Sequence, residues 1–158
     1  MSDSLAFHTQ IMQMALQEAV YAYARGEVPV GAVLVDSRNK TIVARDSNRV
    51  RASFDPSAHA EMLVMRQLAK QIGSPYLNAY DLYVSLEPCA MCASCMVHAR
   101  IRTLVFGAWD IKGGGVDHGA RVFDHASAHH RPKIYGGICA EESSALLQKF
   151  FRECRHTK

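Results

Sequence analysis

His59-Ala60-Glu61, followed downstream by Pro88-Cys89-Ala90-Met91-Cys92, constrains this chain more than any other feature. One imidazole and two thiolates can hold a zinc ion and leave its fourth position open for water. A fold that uses them must bring two distant segments to one point. Cys89 and Cys92 are three residues apart, so on a helix their sulfurs face the same way. Pro88 suits the opening of such a helix, predicted to carry Cys89, Cys92 and Met96. The positive end of its dipole favours thiolate over thiol. Glu61 follows the histidine too closely to look like an accident of composition; it is expected not to be a ligand but to move protons to and from the water. Two other readings stay open: a redox Cys-x-x-C pair, and a closed structural zinc site. A closed site needs a fourth ligand, for which Cys95 and His98 are the candidates. Cys95 lies a further turn along and rotates off the first-turn face.

The chain has 158 residues, 49% of them hydrophobic, enough for one domain over 1–158 with a sizeable core and no disulfide staples. Its five cysteines are odd in number, and three crowd into one stretch, which suggests metal binding. No apolar run is long enough to span a bilayer. Met1-Ser2-Asp3-Ser4 lacks a basic region leading into an apolar one, so a cytoplasmic protein is expected. The net charge of +3 is concentrated at the end. The last ten residues hold Lys149, Arg152, Arg155 and Lys158 against Glu153 alone, leaving residues 1–148 formally neutral. Such a tail suits a phosphate contact, or simply cations at the C-terminal end of a helix.

Apolar periodicity predicts a helix over 5–25, ended by Gly26. Strands are predicted over 28–36 and 41–48, joined as a hairpin by Ser37-Arg38-Asn39-Lys40. Asp55-Pro56-Ser57 signals a helix start with Ser57 as cap, and Gly73-Ser74-Pro75 a stop after Ile72. Further strands are predicted over 82–86, 103–107 and 133–138, and a final amphipathic helix over 141–155. Residues 110–132 show little periodicity. The order predicts an α/β fold: a three-layer α/β/α sandwich around a mixed five-stranded sheet.

With these segments in view, the chain resembles the cytidine deaminase superfamily, whose zinc enzymes share the pattern H-x-E…P-C-x-x-C. Within it the chain is similar to bacterial tRNA-specific adenosine deaminases. The resemblance is carried by residues 28–33, Asn48-Arg49, residues 55–61, residues 82–92, Phe106-Gly107-Ala108 with Asp110, and Leu146-Leu147 with Phe150-Phe151. It implies conversion of a tRNA wobble adenosine to inosine, with one Zn2+ per subunit on His59, Cys89 and Cys92 and Glu61 as the proton carrier. It implies a homodimer with each active site bordered by the partner. Asn48 is then expected to contact the nucleoside, Asp110 to lie beside its ribose and backbone, and Phe150, Phe151 and Arg152 to help hold the anticodon arm. From the residues alone, Asn48 also suits a strand-end turn. Phe150 and Phe151 are adjacent, so at most one faces the core well.

One segment departs from the pattern. After Asp110 and Lys112, relatives carry a Gly-Ala and a Gly-Ser step; here Gly113-Gly114-Gly115-Val116-Asp117-His118 stands instead, with His125, His129 and His130 beyond. Triple glycine gives freedom to wrap over a ligand, or makes a mobile surface loop. The altered loop and the neutral first 148 residues also fit a deaminase of a free nucleobase or nucleoside. A zinc-stabilised binding module is the remaining alternative, though it has no use for Glu61.

Overall fold

The protein is described over residues 4–157 of a computed structural model. Met1, Ser2 and Asp3 of the N-terminal segment and Lys158 of the basic tail lie outside the described residues.

Helix α1 (Leu5–Ala24) is capped by the Ser4 side chain, which accepts the Phe7 N–H, and Gly26 turns the chain away at φ 79°. Strand β1 (Gly31–Asp36) begins later than predicted, because Val28-Pro29-Val30 forms a tight turn with Val30 N–H on the Val28 carbonyl. It pairs antiparallel with β2 (Thr41–Ser47), the predicted hairpin. A short helix α2 (Val50–Ser53), not anticipated, precedes α3 (Ala60–Ile72). The chain continues through β3 (Tyr80–Leu86), α4 (Ala90–Ala99), β4 (Thr103–Ala108), a single 3-10 turn at Val122–Asp124, β5 (Lys133–Tyr135) and α5 (Ala140–His156).

Two helix starts differ from expectation. Ser57 does not cap α3. Its N–H and hydroxyl both donate to Asp55 Oδ1, closing a local turn, and His59 occupies the cap position. Pro88 lies outside α4, whose cap is Cys89. Two of the three predicted zinc ligands, His59 and Cys89, therefore stand at helix caps, and Cys92 lies within the first turn of α4.

The sheet order is β2-β1-β3-β4-β5, with β1 antiparallel to β2 and β3, and β3, β4 and β5 parallel. Alternation along the strands builds the two buried layers. Ala32, Leu34, Leu82, Val84, Leu104 and Phe106 pack with Val64, Leu68 and Met96 of α3 and α4. Val33, Val35, Tyr83 and Val105 face Ile11, Met12, Ala15 and Leu16 of α1, and α5 lies beside α1. The expected three-layer mixed sandwich is what forms. Each fully buried aliphatic or Phe side chain contributes about 1.5–3 kcal/mol. At Gly31 a Cβ would sit 2.0 Å from the Ala15 carbonyl oxygen, so α1 can press on the sheet only over a glycine.

The strand pairing also assembles a site. Gly31 opposes Ser47, Ala32 opposes Val84 and Leu86 opposes Ala108. One edge of the sheet therefore gathers Val30, Asn48, Glu87 and Trp109-Asp110, at the carboxyl ends of β3 and β4, where open α/β sheets bind ligands.

Candidate active site

At that edge the first turns of α3 and α4 meet. His59 Nδ1 lies 3.6 Å from Cys89 Sγ and 3.5 Å from Cys92 Sγ. The three donor atoms fall within 4.8 Å of one another and form the metal-ligating cluster found among the described residues. Imidazole with two thiols is a tetrahedral zinc donor set with one position left over, so the residues present fit the ion. Neither candidate for a closing fourth ligand joins them. Cys95 is outside the cluster, and His98 packs edge-on against His129, ring centroids 5.6 Å apart.

The electrostatics favour a metal. Cys89 is held down at about 4, chiefly because the Cys92 thiol donates to it, with His59 adding to the effect against burial. The same pairing, together with burial, pushes Cys92 up. His59 is raised by its hydrogen bond to Cys89. A cation entering here displaces the protons these groups share.

Glu61, in the first turn of α3, is only 4% exposed. Burial pushes its carboxyl up to about 7, while its own backbone N–H and nearby His59 pull the other way. A carboxyl that changes protonation near neutral pH beside an open metal position is suited to carrying protons.

His59, Glu61 and Cys89 line a cavity of about 550 Å³. Asn48, Asp110, Phe150 and Phe151 line it too, so four of the five residues expected to touch substrate are brought together. Asn48 Oδ1 accepts the Ala60 N–H at 2.8 Å, which leaves its NH2 as the donor it can offer. Asp110 folds on itself, Oδ1 accepting from Lys112 and Gly113 N–H. Phe150 is buried and stacks edge-on with Tyr23, whereas Phe151 is 47% exposed. Arg152 is placed apart, on a shallow groove with Leu147, Gln148, Phe151 and Arg155.

Two carboxylates at the site had no role in the sequence reading. Glu27 is buried and accepts the N–H groups of Arg51 and Ala52, holding α2 at the cavity wall. Glu87 is buried beside Cys89 and takes donors from the 110–118 loop. The available signal was an acidic residue at the edge of an apolar run, before it for Glu27 and after it for Glu87, which in a buried position demands donors.

Residues 5–108 match the family described as cytidine and deoxycytidylate deaminase zinc-binding region. The chain is 47% identical over 152 residues to a tRNA-specific adenosine deaminase of Agrobacterium fabrum, covering 96% of this chain and 98% of that one. It is 41% identical to one of Bacillus subtilis, covering 93% and 90%. A structure from biochemical and structural studies of A-to-I editing by tRNA:A34 deaminases superimposes with a TM-score of 0.85 at 46% identity, covering 88% of this chain and 99% of that one. A guanine deaminase from Nitrosomonas europaea shares the fold, with a TM-score of 0.76 at 21% identity over 88% of this chain and 81% of that one.

Proposed function

Because the chain belongs to the cytidine and deoxycytidylate deaminase zinc-binding family, and within it to the tRNA-specific adenosine deaminases, we propose that it hydrolyses wobble adenosine in a tRNA anticodon to inosine. The observation that carries this reading is the three-donor cluster of His59, Cys89 and Cys92 opening onto the same cavity as buried Glu61. The reaction consumes one water and releases one ammonia; the C6–N bond breaks and a C6–O bond forms.

His59, Cys89 and Cys92 would hold the zinc. When bound, the metal supplies Lewis-acid activation of water at neutral pH. Glu61 accepts a proton from that water and passes it to the purine ring nitrogen beside C6; as the C6–N bond breaks it takes the remaining proton from the new C6 hydroxyl and gives it to the departing amine. Its burial keeps bulk solvent from competing for the proton.

The base enters turned out of a loop, as chemistry on a stacked base requires. Asn48 donates to the nucleoside through its NH2, and Asp110 lies along the ribose and backbone. Phe150 and Phe151 form an aromatic wall, with exposed Phe151 as the stacking surface. Arg152 and its basic neighbours on α5 approach the phosphates. We assign residues 1–158 to one deaminase domain that acts as a homodimer in the cytoplasm. The family resemblance supports the dimer. No helix among the described residues is long and apolar enough to cross a membrane.

An ammonia-release panel tests the substrate. The zinc-loaded protein is compared on an anticodon stem-loop, on free adenine, guanine and cytosine, and on their nucleosides. Release confined to the stem-loop supports the proposal, and release from a free base or nucleoside alone overturns it.

A further inference from the structure

Glu87 is fully buried at the side chain yet is no metal ligand. Its Oε1 accepts the N–H groups of Asp117 at 2.8 Å, His118 at 3.0 Å and Val116 at 3.3 Å. Its Oε2 accepts the Asp110 N–H at 2.8 Å and faces His118 Nδ1 at 2.9 Å. Five donors thus converge on a group with about four lone-pair sites. No acceptor capacity is left for a substrate, so Glu87 does not act on one directly.

What Glu87 holds is the loop at the mouth of the cavity. Asp110 lies at one end of that loop and lines the cavity; His118 lies at the other. The middle is pinned to the metal-ligating segment by Gly115 N–H on the Pro88 carbonyl at 2.7 Å. The glycines permit this contact. A Cβ on Gly115 would sit 2.5 Å from Ala90 N, and one on Gly114 would sit 2.6 Å from the Glu87 carboxyl carbon. Gly114 and Gly115 therefore serve close approach here.

We propose that Glu87 and His118 buckle the 110–118 loop closed, and that His118 is a positioning residue for substrate binding, acting through Asp110. Four of the five donors are backbone groups, so the His118 imidazole is the one side chain through which the buckle can be altered. The inference rests on the reading that the cavity takes a nucleotide of an anticodon.

The test uses the zinc-loaded full chain with His118→Ala and His118→Asn, reading amide exchange over 110–118, zinc content, and KM and kcat on an anticodon stem-loop. Asparagine places its amide nitrogen where Nδ1 stands and can still donate to Glu87. In His118→Ala, loss of one charge-assisted hydrogen bond should speed exchange of the Asp110 and Asp117 amides about tenfold and raise KM about tenfold. With it kcat should stay within about threefold, zinc content should be unchanged, and His118→Asn should restore KM to within about threefold. Unaltered exchange in the alanine variant overturns the proposal, as does an asparagine variant as impaired as alanine, or a fall in kcat with KM unchanged. Should the alanine variant not fold, the asparagine variant decides alone: KM within about threefold of wild type supports the buckle, and KM raised tenfold or more overturns it. If the wild-type protein does not act on the stem-loop, the function reading fails, while the exchange data still decide the buckle.

Discussion

The side-chain carbonyl of Asn48 accepts the backbone N–H of Ala60 at 2.8 Å. A residue at the end of β2 thereby satisfies the first orphan donor of α3, the helix that sets both His59 and Glu61. Asn48→Ala should cost about 1 kcal/mol of stability, the usual loss of a cap. It should also weaken substrate binding, because the same carboxamide faces the cavity. Chemical denaturation of the metal-free and zinc-loaded variant measures the first effect, and stem-loop titration the second.

Glu61→Gln should retain one zinc per chain and lose turnover by about 10²–10⁴-fold, the range of a general acid–base group. Cys89→Ala and His59→Ala should instead lose the metal. Elemental analysis beside ammonia release separates the two classes. Retained turnover in Glu61→Gln would remove the proton-carrying role.

Phe150 and Phe151 should respond differently although they are neighbours. Phe150 is buried against Tyr23, so Phe150→Ala should lower the thermal midpoint. Phe151 is half exposed at the cavity, so Phe151→Ala should leave the midpoint nearly unchanged and weaken stem-loop binding by about 1–3 kcal/mol, the value of one stacked base. Paired melting and binding curves check both.

Asp36 ends β1 and takes Arg38 in a two-point contact, 2.9 Å to Oδ1 and 2.7 Å to Oδ2. The Arg38 hydrogen bonds hold its carboxyl below the ordinary 3.8. The folded state therefore binds this proton less readily than the unfolded chain. The resulting stability is full above about pH 4 and fades as pH falls through the depressed folded value. Asp36→Asn should flatten the acid limb of the stability profile and lower stability at neutral pH. Urea midpoints from about pH 7 down to about pH 2, through and below the ordinary carboxylate value, measure it.

Much of this was legible in the chain. The runs at 82–86 and 103–107, and 31–36 within the predicted 28–36, read as strands because burial on both faces demands apolar residues at nearly every position. His59, Cys89 and Cys92 could be grouped because their chemistry admits few other uses in that order. The cap of α3 was misplaced because Ser57 has the right side chain but spends it on Asp55, while the group that does cap comes from Asn48, twelve residues away. The part played by Glu87 was invisible for the same reason. Its donors lie 23–31 residues downstream, and only the folded loop brings them together.

The most direct test is nucleoside analysis of an anticodon stem-loop with adenosine at the wobble position after incubation with the zinc-loaded protein. Inosine should replace that adenosine, with one ammonia released per inosine formed and neither product seen after zinc is removed. Intact adenosine with the metal bound, or inosine formed equally well by the zinc-free protein, would contradict zinc-dependent deamination of the wobble base.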